Sequence, residues 1–272
     1  MLWSSVMDFR SLAQKYPELI YYFLQEHYHV YVPEHCGHGL SYRLTDDPSL
    51  VHLDRWNRYS RDFLRVSRLI RKAHPDAAVF IRSFYGRGSS GNCCGKRALY
   101  VQKVILSSPM IRPLTGNVPY PAAIRISRAA CRTGREMKYV AGQKPYDGTE
   151  QFETSSGLSR PRFERYKEIR RNNIECRTFS PSYGWLYNAA KMNWYLQRSA
   201  WKDIAAPILL FQAETDSLVS LKAQDIFAEK INNCGKTSCT LIRMAGTKHE
   251  IFNAQDDILE TYWGHVFWFF EG

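Results

Sequence analysis

The chain has 272 residues, 44% hydrophobic and 14% aromatic. That is enough for one sizeable core, or a core with an added subdomain, and too apolar for global disorder. The net charge of +11 is concentrated in the middle, where 17 Lys and Arg stand against 8 Asp and Glu between Pro109 and Asp203.

No apolar run reaches the roughly 18 residues of a membrane span, and the opening MLWSSVMDFRS has neither the basic nor the apolar region of a secretory signal. The seven cysteines (36, 93, 94, 131, 176, 234 and 239) are odd in number, scattered, and without a C-x-x-C pair. Reduced thiols in a cytoplasmic protein are therefore expected, and no metal site.

In chain order, apolar runs predict strands at Tyr28–Val32, Ala78–Arg82, Lys103–Ser107, Pro207–Phe211 and Cys239–Met244. Little room is left for a strand before Tyr28. Between the strands lie amphipathic helices. In His52–Ala73, Leu53, Trp56, Tyr59, Phe63, Val66 and Ile70 recur every three or four positions, as one helix face requires. Leu221–Ile231 and Asp257–Phe270 read the same way. This alternation predicts an α/β protein with a mostly parallel sheet flanked by helices. The stretch Pro109–Asp203 breaks the rhythm with turn signals and basic helical segments. It reads as a helical insertion, dividing the chain into core (1–108), insertion (109–204) and core (205–272).

Ligands of open parallel sheets bind beyond the carboxyl ends of the strands. Ser83 follows the Ala78–Arg82 run, Asp216 follows Pro207–Phe211, and His249 follows Cys239–Met244. Ser, Asp and His in that order, each beyond its own strand, form a nucleophile, acid and base set. A hydroxyl is a weak nucleophile, so Ser83 needs His249 to take its proton, and Asp216 would fix the imidazole tautomer. Taken singly, each residue has a plainer reading as a turn former, a cap or a solvated histidine.

Several longer stretches then resemble the α/β-hydrolase fold of the monoacylglycerol lipase and lysophospholipase L2 family. Tyr31-Val-Pro-Glu-His-Cys-Gly-His-Gly-Leu-Ser41 is similar to its D-x-R-G-H-G-x-S loop. Val104–Pro109 is similar to the strand entering the lid, Pro207–Val219 to the acid strand and Gly246–His249 to the histidine loop. The resemblance implies a helical cap at Pro109–Asp203, long-chain acyl ester or lysolipid substrates, and no metal or organic cofactor. It also implies oxyanion donors at the backbone N–H groups of Phe84 and Phe9, and a chain that lacks the family's first strands. The elbow departs from the family's G-x-S-x-G. It reads Ile81-Arg-Ser-Phe-Tyr-Gly86, with Ile81 and Tyr85 where glycines would let the backbone pack around a strained serine. Met7 and Asp8 stand where the oxyanion loop has His-Gly.

Other readings compete. Gly86-Arg-Gly-Ser-Ser-Gly91 formally matches a dinucleotide fingerprint but lacks an acidic residue near position 111. Ser90, in the same stretch, lies well beyond the strand end. The basic stretch Arg160–Arg171 suits a peripheral contact with anionic lipid, or a solvated helix whose Glu164 and Glu168 make local ion pairs. It sits in no recognisable nucleic-acid module, so no nucleic-acid partner is expected. The altered elbow also fits a catalytically impaired protein that serves as a lipid- or protein-binding scaffold.

Overall fold

A computed structural model of the chain describes residues 2–6, 12–76, 79–83 and 101–271, the segments 2–6 and 79–83 by their backbone alone. Six parallel strands form the central sheet: β1 (Leu2–Val6), β2 (His29–Tyr31), β4 (Val79–Ser83), β5 (Val101–Ser107), β7 (Ile208–Ala213) and β8 (Cys239–Met244). Their order is β2-β1-β4-β5-β7-β8. The five predicted strands are all present. The strand before Tyr28 corrects the expectation. Leu2–Val6 lies between β2 and β4, with Val6 paired to Ser83. Its serines at 4 and 5 interrupt the apolar run that would have marked it.

The central strands are covered on both faces, and their side chains sort by the period of two. Ile208 and Leu210 of β7 and Val104 and Leu106 of β5 enter one core. There they meet Phe63 and Ile70 of α2 (Arg58–Ala73), Leu196 of α5 (Tyr183–Arg198), and Phe227 and Ile231 of α6 (Leu221–Cys234). Leu209, Phe211 and Ile105 face the opposite core, with Leu19 and Phe23 of α1 (Pro17–Gln25) and Tyr262, Val266 and Phe270 of α7 (Asp256–Glu271).

The helix predicted from His52 begins only at Arg58. The peptide groups before it are engaged elsewhere. The Val51 carbonyl accepts from Ser182 N–H, and the Leu53 carbonyl accepts from the Asn188 side chain at 2.7 Å. Residues 109–203 carry α3 (Tyr120–Arg132), α4 (Arg160–Asn172) and α5. They also carry a strand that the sequence did not suggest. β6 (Ser180–Pro181) pairs with β3 (Leu50–Val51) in a separate two-stranded sheet.

The loop after β2 explains its glycines. Gly39 has φ +51°, and a Cβ there would lie 2.3 Å from the Glu34 carboxylate. That carboxylate accepts from the N–H groups of Ala13 (3.1 Å) and Leu40 (2.7 Å), so it cannot swing away without losing both. Beneath the loop, His35 and His38 are buried and His35 stacks on Tyr59 at 4.3 Å. Burial, with His38 beside it, pushes the His35 imidazole down to about 3. In this pH range the unfolded chain binds a proton that the folded chain refuses. Stability is therefore whole above about pH 6.5 and falls by roughly 1.4 kcal/mol per unit as pH drops towards 3. Denaturant midpoints for the native chain and His35→Phe, taken between about pH 3 and 6.5, should show a smaller slope for the variant.

Candidate active site

The carboxyl ends of β4, β5, β7 and β8 lie side by side at one edge of the sheet. The chain leaves β7 into Glu214–Val219, where Asp216 turns its side chain back on its own loop. Its Oδ1 accepts from the N–H groups of Leu218 (2.8 Å) and Val219 (3.0 Å). Its Oδ2 lies 2.7 Å from His249 Nδ1. The Asp216 side chain is fully buried and that of His249 is 4% exposed.

Thr247 laces the Asp216 loop to the His249 loop. Its hydroxyl accepts from Glu214 N–H at 3.3 Å and donates to the Met244 carbonyl, while its own carbonyl accepts from Thr215 N–H at 3.2 Å. Glu214 closes the knot by accepting from Gly246 N–H at 2.7 Å. Gly246 sits at φ +67°, in the left-handed region that favours glycine. Predicted Asp216 and His249 are thus brought together on neighbouring strands.

Ser83 is the last residue of β4, paired in register with Val6 of β1 and Leu106 of β5. The Ser83 side chain, and Phe84, Phe9, Met7, Asp8, Ser90, the Gly86–Gly91 motif, Cys93 and Cys94, lie outside the described residues.

Two features escaped the sequence. The first is an ion pair behind the histidine. Lys15 Nζ lies 2.5 Å from Glu250, with side chains 6% and 16% exposed. Asn253 donates to the other Glu250 oxygen at 2.7 Å. Burial would raise the Glu250 carboxyl, but Lys15, the Asn253 bond and His249 hold it below its ordinary range. A separation of 235 residues leaves no local pattern to find this pair by. The second is the wall over the site. Glu153–Ser156 faces Thr215–Ser217, Lys248 and His249 across a cavity of about 390 Å³. Ser156 anchors this wall by accepting from Glu250 N–H at 2.8 Å.

The basic helix α4 turns Arg162 and Arg170 inward and leaves Arg160, Arg165 and Arg171 exposed. Arg162 grips Glu18 of α1 with two bonds of 2.6 Å, meets Asp256 at 2.8 Å, and donates to the Ala254 carbonyl. Arg170, 6% exposed, pairs with Glu150 and lies 4.0 Å from the Tyr146 ring centre. These pairs run to other elements rather than to the expected Glu164 and Glu168. Among the described residues no cluster of His, Cys, Asp or Glu could hold a metal ion, and the five cysteines are free thiols.

The model of the family described as "Serine aminopeptidase, S33" matches residues 9–256. The chain belongs to this serine aminopeptidase S33 family. Lysophospholipase L2 of Escherichia coli K12 is 24% identical over 216 residues, which cover 79% of this chain and 63% of that protein. The chain thus spans slightly under two thirds of that relative's length. Probable lysophospholipase L2 of Haemophilus influenzae is also 24% identical, over 90% of this chain and 75% of the relative.

Solved structures agree on the α/β-hydrolase fold. A carboxyl esterase from Bacillus coagulans superposes with a TM-score of 0.76 at 15% identity, over 100% of this chain and 89% of its own. A monoglyceride lipase variant from Saccharomyces cerevisiae does so with 0.70 at 14%, over 97% and 84%. In this S33 member Asp216 and His249 lie together beyond β7 and β8. No described helix of this family member is long and apolar enough to cross a membrane.

Proposed function

We propose that this S33 member is a serine hydrolase that cleaves carboxylic esters of long-chain acyl lipids, of the lysophospholipid or monoacylglycerol type. Asp216 and His249, held 2.7 Å apart at the carboxyl edge of the sheet, carry this reading. The position of Ser83 at the end of β4, one strand away across β5, supports it. The names of the S33 relatives suggest the lipid substrate.

In the proposed reaction His249 Nδ1–H donates a hydrogen bond to Asp216, which fixes the tautomer that leaves Nε2 free to act as base. Nε2 takes the Ser83 hydroxyl proton as the serine oxygen attacks the ester carbonyl. Backbone N–H groups of Phe84 and Phe9 stabilise the oxyanion. The intermediate collapses, His249 returns the proton to the departing alcohol, and the acyl group stays on Ser83. Water, deprotonated by the same imidazole, then releases the fatty acid. All the groups required are side chains and backbone amides, so the chemistry calls for no cofactor. Residues 109–204 act as the cap, with Glu153–Ser156 its edge nearest the histidine.

The test is turnover of a short-chain nitrophenyl ester and of a lysophospholipid by the native chain and by Ser83→Ala. A fall of at least about 1,000-fold is expected for the variant, with loss of labelling by a fluorophosphonate probe. Equal rates for the two proteins would remove Ser83 from the chemistry. A native chain that neither turns over nor takes the probe would be the binding scaffold that the altered elbow also allows.

A further inference from the structure

The sequence pointed to α4 as the basic surface, but its Arg162 and Arg170 are spent on ion pairs. Cations without acidic partners also stand on α3 and α5. These two helices pack side by side and run in opposite directions. Gly184 at the start of α5 donates to the Glu136 carbonyl just past the end of α3. At the other end Gln197 donates to the Ile111 carbonyl, upstream of α3.

Neither helix contains an aspartate or a glutamate. Their outward residues are Arg125, Ile126, Arg128 and Arg132 on α3, and Lys191, Trp194 and Arg198 on α5, all exposed. On α5 the exposed row climbs by steps of three and four, as one helix face requires. Ile126 is 50% and Trp194 61% exposed, so each stands among cations with its apolar surface in water. Arg198 lies 5.1 Å from the Trp194 ring centre, and Lys191 lies 4.1 Å from that of half-buried Tyr187. None of the five cations has an ion-pair partner among the described residues.

We infer that the α3–α5 face docks the protein on an anionic lipid bilayer. The cations meet the negative headgroups, and Trp194 and Ile126 enter the boundary beneath them. Two features on the page favour lipid over another polyanion. The charge is of one sign across both helices, which matches a surface rather than a single acidic group. The exposed apolar groups include an aliphatic side chain, and isoleucine gains nothing from a phosphate backbone, whereas Trp among Lys and Arg suits a membrane interface. This docking is independent of the ester-hydrolase reading, because none of these residues lies at Asp216, His249 or Ser83.

The experiment is co-sedimentation with vesicles of equimolar phosphatidylcholine and phosphatidylglycerol, and with phosphatidylcholine alone. The native chain should partition onto the anionic vesicles and much less onto the neutral ones, with salt weakening the binding. Lys191→Glu with Arg198→Glu should lower the anionic partition constant by at least about 25-fold, taking each cation as worth about fivefold. Trp194→Ala should lower it several-fold. Arg65→Glu with Arg68→Glu on α2, also exposed cations, should change it far less per charge. Thermal melts in all variants check folding, and turnover of the soluble ester is measured separately, so loss of docking and loss of chemistry are distinguished. The inference is overturned if the α5 reversal binds as the native chain does, or if the α2 reversal abolishes binding equally. Duplex DNA binding that the α5 reversal abolishes, without vesicle binding by the native chain, would also overturn it and assign the face to nucleic acid.

Discussion

Asp216→Asn should leave the protein folded and lower ester turnover by about 10,000-fold. The two carboxylate oxygens have separate duties. Oδ1 accepts from Leu218 and Val219 N–H and so shapes the loop, while Oδ2 faces His249 Nδ1. An asparagine can keep its amide oxygen on the two N–H groups and so preserve the turn. Its amide nitrogen then faces His249 and donates, which forces the imidazole to carry its proton on Nε2. In that tautomer the nitrogen that should act as base is already protonated. The expected signature is a collapse of kcat with a KM and a thermal midpoint close to native. Asp216→Ala should lose the turn as well and melt lower. Kinetics on the soluble ester with parallel melts separate the two. Native-like turnover by Asp216→Asn would show that His249 does not depend on this carboxylate.

Lys15→Met is expected to destabilise the fold by about 3 kcal/mol at neutral pH. The pair it breaks is buried, and Asn253 alone is left to satisfy the Glu250 carboxylate. The sign with pH follows from the depressed pKa of Glu250. In the native chain its ionised form contributes stability above the ordinary glutamate range, and that contribution is lost as pH falls through the folded value. Without Lys15, only Asn253 and His249 oppose burial, which raises the carboxyl, so the cost is greatest at neutral pH. It should shrink towards about pH 4, where the raised carboxyl of the variant is protonated in the folded chain. Adding Glu250→Gln to Lys15→Met should recover much of the loss, because no uncompensated charge then remains buried. Chemical denaturation of the native chain and the two variants at both pH values measures this. A loss equal at both pH values, and not relieved in the double variant, would mean that Lys15 acts through packing alone. Its ammonium lies 4.8 Å from the Tyr166 ring centre of α4, so that contact also differs in the variant.

What the sequence revealed depended on range. The apolar alternation of Pro207–Phe211 and Cys239–Met244 marks two strands, and the residues just past them are placed by that fact alone. This is why Asp216 and His249 could be named before any geometry. The same reasoning carried Ser83 to the end of β4. It overran at His52, because helical spacing cannot show that the Val51 and Leu53 carbonyls accept from residues 182 and 188. It missed Leu2–Val6, whose polar residues break the pattern, although β1 is flanked by β2 and β4. Long-range charge pairing left no trace at all. The arginines of α4 look like a solvated row in one dimension, and only the fold supplies Glu18 and Asp256 for Arg162.

The lacing of the Asp216 and His249 loops through Thr247 bears on how such a site can change over generations. Asp216 and His249 share one braced unit drawn from the last third of the chain, while Ser83 belongs to a strand on the far side of β5. Substitutions in Glu214–Val219 or Gly246–His249 therefore act on Asp216 and His249 together. This half of the site is inherited as one unit, kept or lost whole.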